Sequence, residues 1–294
     1  MSHLLKAELD GCGCSQAIRY ISSQLSAGSI ENAWSEATRF VIHATQVDRT
    51  FLIANPDRAV SSNEAATLSG FVARRLAGEP ITRILGFREF WNLEIEVAPD
   101  VLDPRPDSET LIEAALAELG SRKSEEIDLL DLGTGSGALL LAMLAECPRA
   151  RGIGVDLSAK ACELAARNAR RNKLNARAHI FQGNWMQSLD GRFDLIISNP
   201  PYIRAGDLEG LPPEVLKHDP TLALNGGEDG LVAYSEIIRS LHKALKPKGF
   251  SVLELGEGQA ADVAGLALRW GLKVGALRKD LGGIDRAIVL HNPG

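Results

Sequence analysis

The chain is 294 residues long, 45% of them hydrophobic and 24% charged, with a formal net charge of -6. That length supports a full hydrophobic core and more than one domain, and the composition is that of a globular protein. An acidic balance without a basic stripe excludes a stand-alone nucleic-acid binder, which needs cations to neutralise phosphates. The dense basic run Arg167, Arg170, Arg171 and Lys173 falls on the polar side of an expected helix and reads as a solvated face. Cys12, Cys14, Cys147 and Cys162 have neither zinc-site nor disulfide-framework spacing, so free thiols in a reducing compartment are expected. The histidines are scattered, and no metal is expected. Charges at Lys6 and Glu8 with no long apolar run after them predict no signal peptide, no membrane span and a cytoplasmic location.

Taken in chain order, residues 15–78 show apolar positions at helical spacing: Ala17, Ile18, Ile21 and Leu25, then Ala33, Ala37, Phe40, Val41 and Ala44, then Phe51 to Ala54, then Ala65, Leu68, Phe71, Val72 and Leu76. Asn55-Pro56 breaks one segment, and Ser61-Ser62-Asn63-Glu64 supplies cap chemistry for the next. Residues 1–86 are thus expected to form a small helical bundle. Phe90, Trp91, Leu93, Ile95 and Val97 alternate around Asn92, which predicts a hairpin in a linker over residues 87–106. Asp103-Pro104-Arg105-Pro106 continues it as an extended element, within reach of a ligand through Arg105 or purely structural. A helix is expected from about Asp107.

From Ile127 onward short apolar runs alternate with helical segments. The strands are read at Ile127–Leu132, Gly152–Val155, Ala178–Phe181, Phe193–Ser198, Phe250–Leu255, Leu272–Leu277 and Ala287–Leu290. This pattern over residues 107–294 predicts an α/β fold with a doubly wound, Rossmann-like sheet, whose ligands bind beyond the carboxyl ends of the strands. The last two strands are joined only through Gly282-Gly283, too short for a parallel crossover, so the sheet should end antiparallel.

The first of these strands runs into Asp131-Leu132-Gly133-Thr134-Gly135-Ser136-Gly137-Ala138. Its glycines permit a sharp turn and let a ligand lie against the backbone at a helix start. The spacing matches the dinucleotide fingerprint, so a nicotinamide cofactor is one candidate. Asp131 favours a cationic ligand instead, and S-adenosylmethionine carries both an ammonium and a sulfonium group. Asp156, at the end of the next strand, is placed to accept from ribose hydroxyls of either cofactor. Gly183-Asn184-Trp185 offers an aromatic face for adenine, although Trp185 reads equally as a packed core side chain.

The strand Phe193–Ser198 ends in Asn199-Pro200-Pro201-Tyr202. Two prolines force a stiff extended exit and donate no N–H, which leaves carbonyls of the loop to accept from a ligand. The side-chain oxygen of Asn199 and the carbonyl of Pro200 can together grip a planar NH2 group, flanked by Tyr202. Such an acceptor is an amide or an exocyclic amine, with a weakly nucleophilic nitrogen. Catalysis then rests on position and polarity, with no Cys or His nucleophile and no evident general base.

These residues resemble the release-factor glutamine methyltransferases of the PrmC/HemK type. The resemblance spans nearly the whole chain: the helical N-terminal region, Phe90-Trp91 with Pro104-Arg105-Pro106, Asp131 to Gly137, Asp156, Asn199 to Tyr202, Ala223 to Gly227 with Asp229-Gly230-Leu231, and Glu254-Leu255-Gly256 with Gln259. It implies a methyltransferase sheet and N5-methylation of the glutamine in the Gly-Gly-Gln motif of class-1 peptide chain release factors, with S-adenosylmethionine as cofactor. It implies cofactor contacts at Gly133, Thr134, Gly135, Ser136, Gly137, Asp156, Trp185 and Asn199, a catalytic grip at Asn199 and Pro200, and substrate contacts at Asn199, Pro200, Pro201 and Tyr202. The N-terminal bundle becomes the release-factor docking domain of a monomeric enzyme with no direct nucleic-acid partner. Asp103, Asn184 and Asp219 depart from the family pattern, which has an apolar residue, Asp and Glu there. The alternatives are a sister glutamine methyltransferase acting on a large-subunit ribosomal protein, an adenine-N6 DNA methyltransferase, for which a basic groove is missing, and a non-catalytic S-adenosylmethionine-binding partner of the translation machinery.

Overall fold

Each N-terminal run with apolar residues three and four apart buries one helix face. In the computed structural model, which describes residues 2–187 and 189–293, the chain divides into two units, Met1–Gly86 and Phe87–Gly294. The first unit consists of α1 (Ser2–Leu9), α2 (Cys14–Ala27), α3 (Ala33–Thr45), α4 (Arg49–Ala54), α5 (Ser62–Leu76) and α6 (Ile81–Leu85). Ala17, Ile18, Ile21 and Leu25 of α2 are buried with Phe40 and Val41 of α3 and Leu68 and Val72 of α5. Each such large aliphatic or aromatic side chain contributes about 1.5–3 kcal/mol. The cap read at Ser61 is a full capping box: Ser61 Oγ accepts from the Glu64 N–H, and the Glu64 carboxylate accepts from the Ser61 N–H. Arg58 also forks onto that carboxylate at 2.7 and 3.1 Å and holds it well below the usual range, at about 2.

The second unit opens with the hairpin of β1 (Phe87–Phe90) and β2 (Leu93–Glu96), paired from Phe87↔Glu96 to Phe90↔Leu93. This hairpin, expected as part of a linker, is fastened onto α9 (Ala159–Arg171) of the same unit. Asn168, fully buried, accepts the Glu96 N–H at 2.8 Å and donates to the Glu96 carbonyl and, at 2.9 Å, to that of Ser136. Arg167 pairs with Glu96 and Arg171 with Glu94. Arg167 and Arg171 of the basic run are exposed, as expected, and also pair with hairpin carboxylates.

The remaining elements are α7 (Glu109–Leu119), β3 (Asp128–Leu132), α8 (Ala138–Glu146), β4 (Arg151–Asp156), β5 (Ala178–Gln182), β6 (Phe193–Ser198), α10 (Pro213–His218), α11 (Thr221–Leu224), α12 (Val232–Ala244), β7 (Leu245–Glu254), α13 (Ala260–Arg269), β8 (Lys273–Lys279) and β9 (Asp285–His291). Among the described residues the sheet has seven strands in the order β5-β4-β3-β6-β7-β9-β8. The pairs from β5 to β7 are parallel, and β9 is antiparallel to both β7 and β8, the antiparallel end that the short Gly282-Gly283 connection requires.

The central strands β3, β6, β7 and β9 are buried on both faces, with side chains alternating between them, whereas the edge strands β5 and β8 are largely exposed. Leu129, Leu195, Ile197, Val252 and Val289 join α7 and α8 in one core. Leu130, Leu132, Ile196, Leu253 and Ile288 join α12 and α13 in the other. The chain leaves β3 toward β4 and β5 on one side, then returns to place β6 on the other. The crevice at the carboxyl ends of β3 and β6 is the ligand position this topology creates.

Candidate active site

The turn from β3 into α8 is built on backbone that only glycine adopts readily: φ is +69° at Gly133, +55° at Gly135 and +83° at Gly137. The N–H groups of Gly133 and Thr134 both donate to the Val155 carbonyl, at 2.8 and 3.0 Å, which folds the loop onto the end of β4. Asp156, the last residue of β4, accepts from the Gly135 N–H on one oxygen and from the Ser158 N–H on the other, each at 2.9 Å. Burial pushes its carboxyl above the usual range, and these N–H groups oppose that rise.

A cavity of about 340 Å³ opens here, and Gly133 to Ser136, Asp156, Asn184 and Trp185 line one side of it. Trp185 serves both readings: it borders the cavity and also packs on the core beneath β3 and β6. Its ring lies against the loop, where a methyl at Gly133 would make an ordinary contact with it at 3.5 Å. Gly137 lies outside the lining; a methyl there would meet Ala165 at 3.1 Å, so it serves the packing of α8 on α9.

Asp131 does not face the ligand as its position in sequence suggested. It is fully buried beneath the loop and absent from the cavity wall. One carboxylate oxygen accepts from the Thr134 hydroxyl at 2.6 Å, and the other has no partner. Burial pushes its carboxyl up to about 7.

Asn199 and Pro201 line the same cavity, whereas Pro200 and Tyr202 are not part of its lining. Among the described residues no backbone N–H donates to the Pro200 carbonyl, which remains available as an acceptor. Tyr202 turns its hydroxyl onto Glu254 at 3.3 Å and its carbonyl accepts from Gln259 at 3.0 Å. The ends of β3 and β6 are tied together by Ser198, whose hydroxyl donates to the Leu132 carbonyl at 2.6 Å. Arg105 forms an ion pair with Asp219 and is not part of the lining. Asp103 is buried against Arg88 of β1 at 2.8 Å, so its carboxylate has an ionic partner where an apolar residue would have none.

Ser108, Ser198, Glu254 and Gln259 were assigned no role from sequence. Glu254 carried a signal: a carboxylate ending the apolar run Phe250–Leu253 beside the strand that leads into Asn199. Its position next to β6 follows only from sheet order, since Ser198 pairs with Leu253.

A doubly wound sheet with a glycine cradle at the β3 turn and a carboxylate at the β4 end is the arrangement of an S-adenosylmethionine-dependent methyltransferase, and the loop, Asp156 and Trp185 fit that cofactor. Residues 108–249 match the methyltransferase small domain and residues 16–86 the PrmC N-terminal domain. The release factor glutamine methyltransferase of Rhodospirillum rubrum is 42% identical over 269 residues, 90% of this chain and 81% of that protein. The one from Agrobacterium fabrum is 41% identical over 271 residues, 91% and 93% of the two chains. The chain belongs to the release factor glutamine methyltransferase family. Among solved structures, a methyltransferase from Pyrococcus furiosus superposes with a TM-score of 0.51 at 20% identity, over 76% of this chain and 98% of that one. The T. Thermophilus 16S rRNA methyltransferase in complex with AdoMet and guanosine gives 0.52 at 20% identity, over 70% and 49%. These two share the fold. Among the described residues no helix is long and apolar enough to cross a membrane.

Proposed function

We propose that this enzyme methylates the side-chain amide nitrogen of the glutamine in the Gly-Gly-Gln motif of class-1 peptide chain release factors, acting as a cytoplasmic monomer without direct nucleic-acid contact. The observation that carries this reading is the end of β6: Asn199 lines the same cavity as the glycine loop, and among the described residues the neighbouring Pro200 carbonyl has no backbone donor. S-adenosylmethionine, when bound, supplies the electrophilic methyl group.

Gly133 to Ser136 and Asp156 hold the cofactor, Gly137 supports the loop by packing α8 on α9, and Trp185 flanks the adenine. Asn199 Oδ1 and the Pro200 carbonyl accept the two N–H bonds of the glutamine amide and so fix its plane. Orientation of this kind contributes roughly 7–11 kcal/mol without breaking amide resonance beforehand. The same two acceptors stabilise the positive charge that grows on nitrogen. Residues 1–86 dock the release factor, a role supported by the match of residues 16–86 to the PrmC N-terminal domain.

The test is to incubate the enzyme with methyl-labelled cofactor and, in parallel, a release factor, a large-subunit ribosomal protein and duplex DNA. Label is expected on the release-factor glutamine alone; label on the ribosomal protein or on adenine instead would move the assignment. Asn199→Ala should lower kcat by roughly a hundredfold or more while the cofactor Kd, read by calorimetry, changes little.

A further inference from the structure

With a glutamine amide held at the end of β6, the reading on which this inference rests, the oxygen of Asn199 must face the substrate. Turned the other way, its NH2 would meet the NH2 of the acceptor. The two orientations fill the same space, so shape alone does not choose between them.

Hydrogen-bond direction does. Asn199 Nδ2 lies 3.2 Å from Ser108 Oγ, and Ser108 Oγ in turn bonds Glu254 Oε2. An ionised carboxylate only accepts, so the single Ser108 hydrogen goes to Glu254. What remains on Ser108 is an acceptor, and the Asn199 NH2 satisfies it. Oδ1 must then point elsewhere. Ser108 and Asn199 border the cavity, but Ser108 is 3% and Glu254 1% exposed, so the bond between those two is shielded from water. We propose that Glu254 and Ser108 are positioning residues that set which end of the Asn199 amide faces the glutamine.

Protonation of Glu254 adds a donor, so the chain is no longer held in this direction and the reverse one opens. In the reverse direction the carboxyl donates to Ser108, the Ser108 hydrogen turns to Asn199, and the amide presents its NH2 to the cavity. The groups facing Glu254 are the Ser108 and Tyr202 hydroxyls, Arg286 of β9 and Asp107 before α7, while the Tyr234 hydroxyl bonds its backbone carbonyl. Burial and Asp107 push the carboxyl up, Ser108, Arg286 and Tyr202 pull it down, and the balance stands at about 7. Methyl transfer should therefore fall as pH drops through neutrality.

The test measures kcat and KM against pH for the full-length enzyme with a release factor, alongside Ser108→Ala, Ser108→Thr and Glu254→Gln, with cofactor Kd from calorimetry as the folding control. The wild-type kcat should show an acid limb near about 7. Ser108→Ala should lower kcat at high pH roughly ten- to a hundredfold, alter KM by less than about threefold, and flatten the limb. Glu254→Gln should flatten the limb as well, and Ser108→Thr should restore both rate and limb. A Ser108→Ala enzyme with wild-type kcat, a limb that persists in Glu254→Gln, or loss of cofactor binding in both variants would overturn the relay. Asn199→Ala separates the two levels. If that variant is fully active, the amide grip itself fails; if it is inactive while Ser108→Ala matches wild type, only the relay fails.

Discussion

The carboxylate of Asp156 accepts the Gly135 N–H on one oxygen and the Ser158 N–H on the other. It therefore shapes the glycine loop proposed to hold the cofactor as well as lining the cavity. Asp156→Asn keeps the size but converts one acceptor into a donor, so one of those N–H groups meets an NH2 instead of an oxygen. Hydrogen bonds to charged groups are worth about 1.5–3 kcal/mol each, which predicts roughly a ten- to hundredfold weaker cofactor. Calorimetric titration checks this, and an unchanged Kd would mean that the loop is shaped by its glycines alone. Asp156 was legible from sequence because a carboxylate ending the second strand of such a sheet has a defined place. Ser108 and Ser198 were not, because a hydroxyl takes its meaning from what lies across the fold, here Glu254 and the Leu132 carbonyl.

Elements were legible where periodicity ran long enough. The strands from β3 to β9 were each anticipated, because apolar runs bounded by glycine or polar turns identify buried strands. The first five residues of β7 were missed because Leu245-Lys246-Pro247-Lys248-Gly249 reads as a break, yet the strand starts there and shifts register against β6 between Phe193 and Leu195. The helices α1 and α6 were missed: α1 precedes the first apolar run that was read as helical, and the five residues of α6 follow the Gly78-Glu79-Pro80 break. The loop between β6 and α12 offered no periodicity at all, but it braces the grip: a methyl on Gly230 would lie 2.5 Å from the Tyr202 carbonyl oxygen and 2.6 Å from Gln259 Nε2, at a φ of +75°. Gly230→Ala should cost about 1–3 kcal/mol of stability through left-handed strain and crowding. It should also lower kcat, by displacing Tyr202 and with it Asn199. Denaturant unfolding and steady-state rates measure the two effects, and a variant equal to wild type in both would show that the loop yields freely.

The stability of the whole molecule against pH is set by carboxylates displaced in opposite directions. Asp131 and Glu254 are both raised to about 7, chiefly by burial. In the range between an ordinary carboxylate pKa and about 7, the folded protein holds protons that the unfolded chain releases. Their contribution to stability is therefore fully present at acid pH and is lost as pH rises through neutrality. Glu64, held at about 2 chiefly by Arg58, acts in the opposite sense and loses its contribution as pH falls. Asp194 does the same: burial would raise it, but Lys246, the Asp128 N–H and Arg122 hold it down. Asp131→Asn isolates one term. The neutral amide keeps an acceptor for the Thr134 hydroxyl and carries no charge to bury, although its NH2 gains no assured partner, a cost that is the same at every pH. The melting temperature of the variant relative to wild type, without cofactor, should rise between about pH 5 and about pH 8, because only the wild type must ionise a buried carboxyl over that interval. Equal differences at the two pH values would mean that Asp131 keeps its proton throughout, in which case the orphan oxygen beneath the glycine loop belongs to a neutral acid and the cradle above it carries no buried charge.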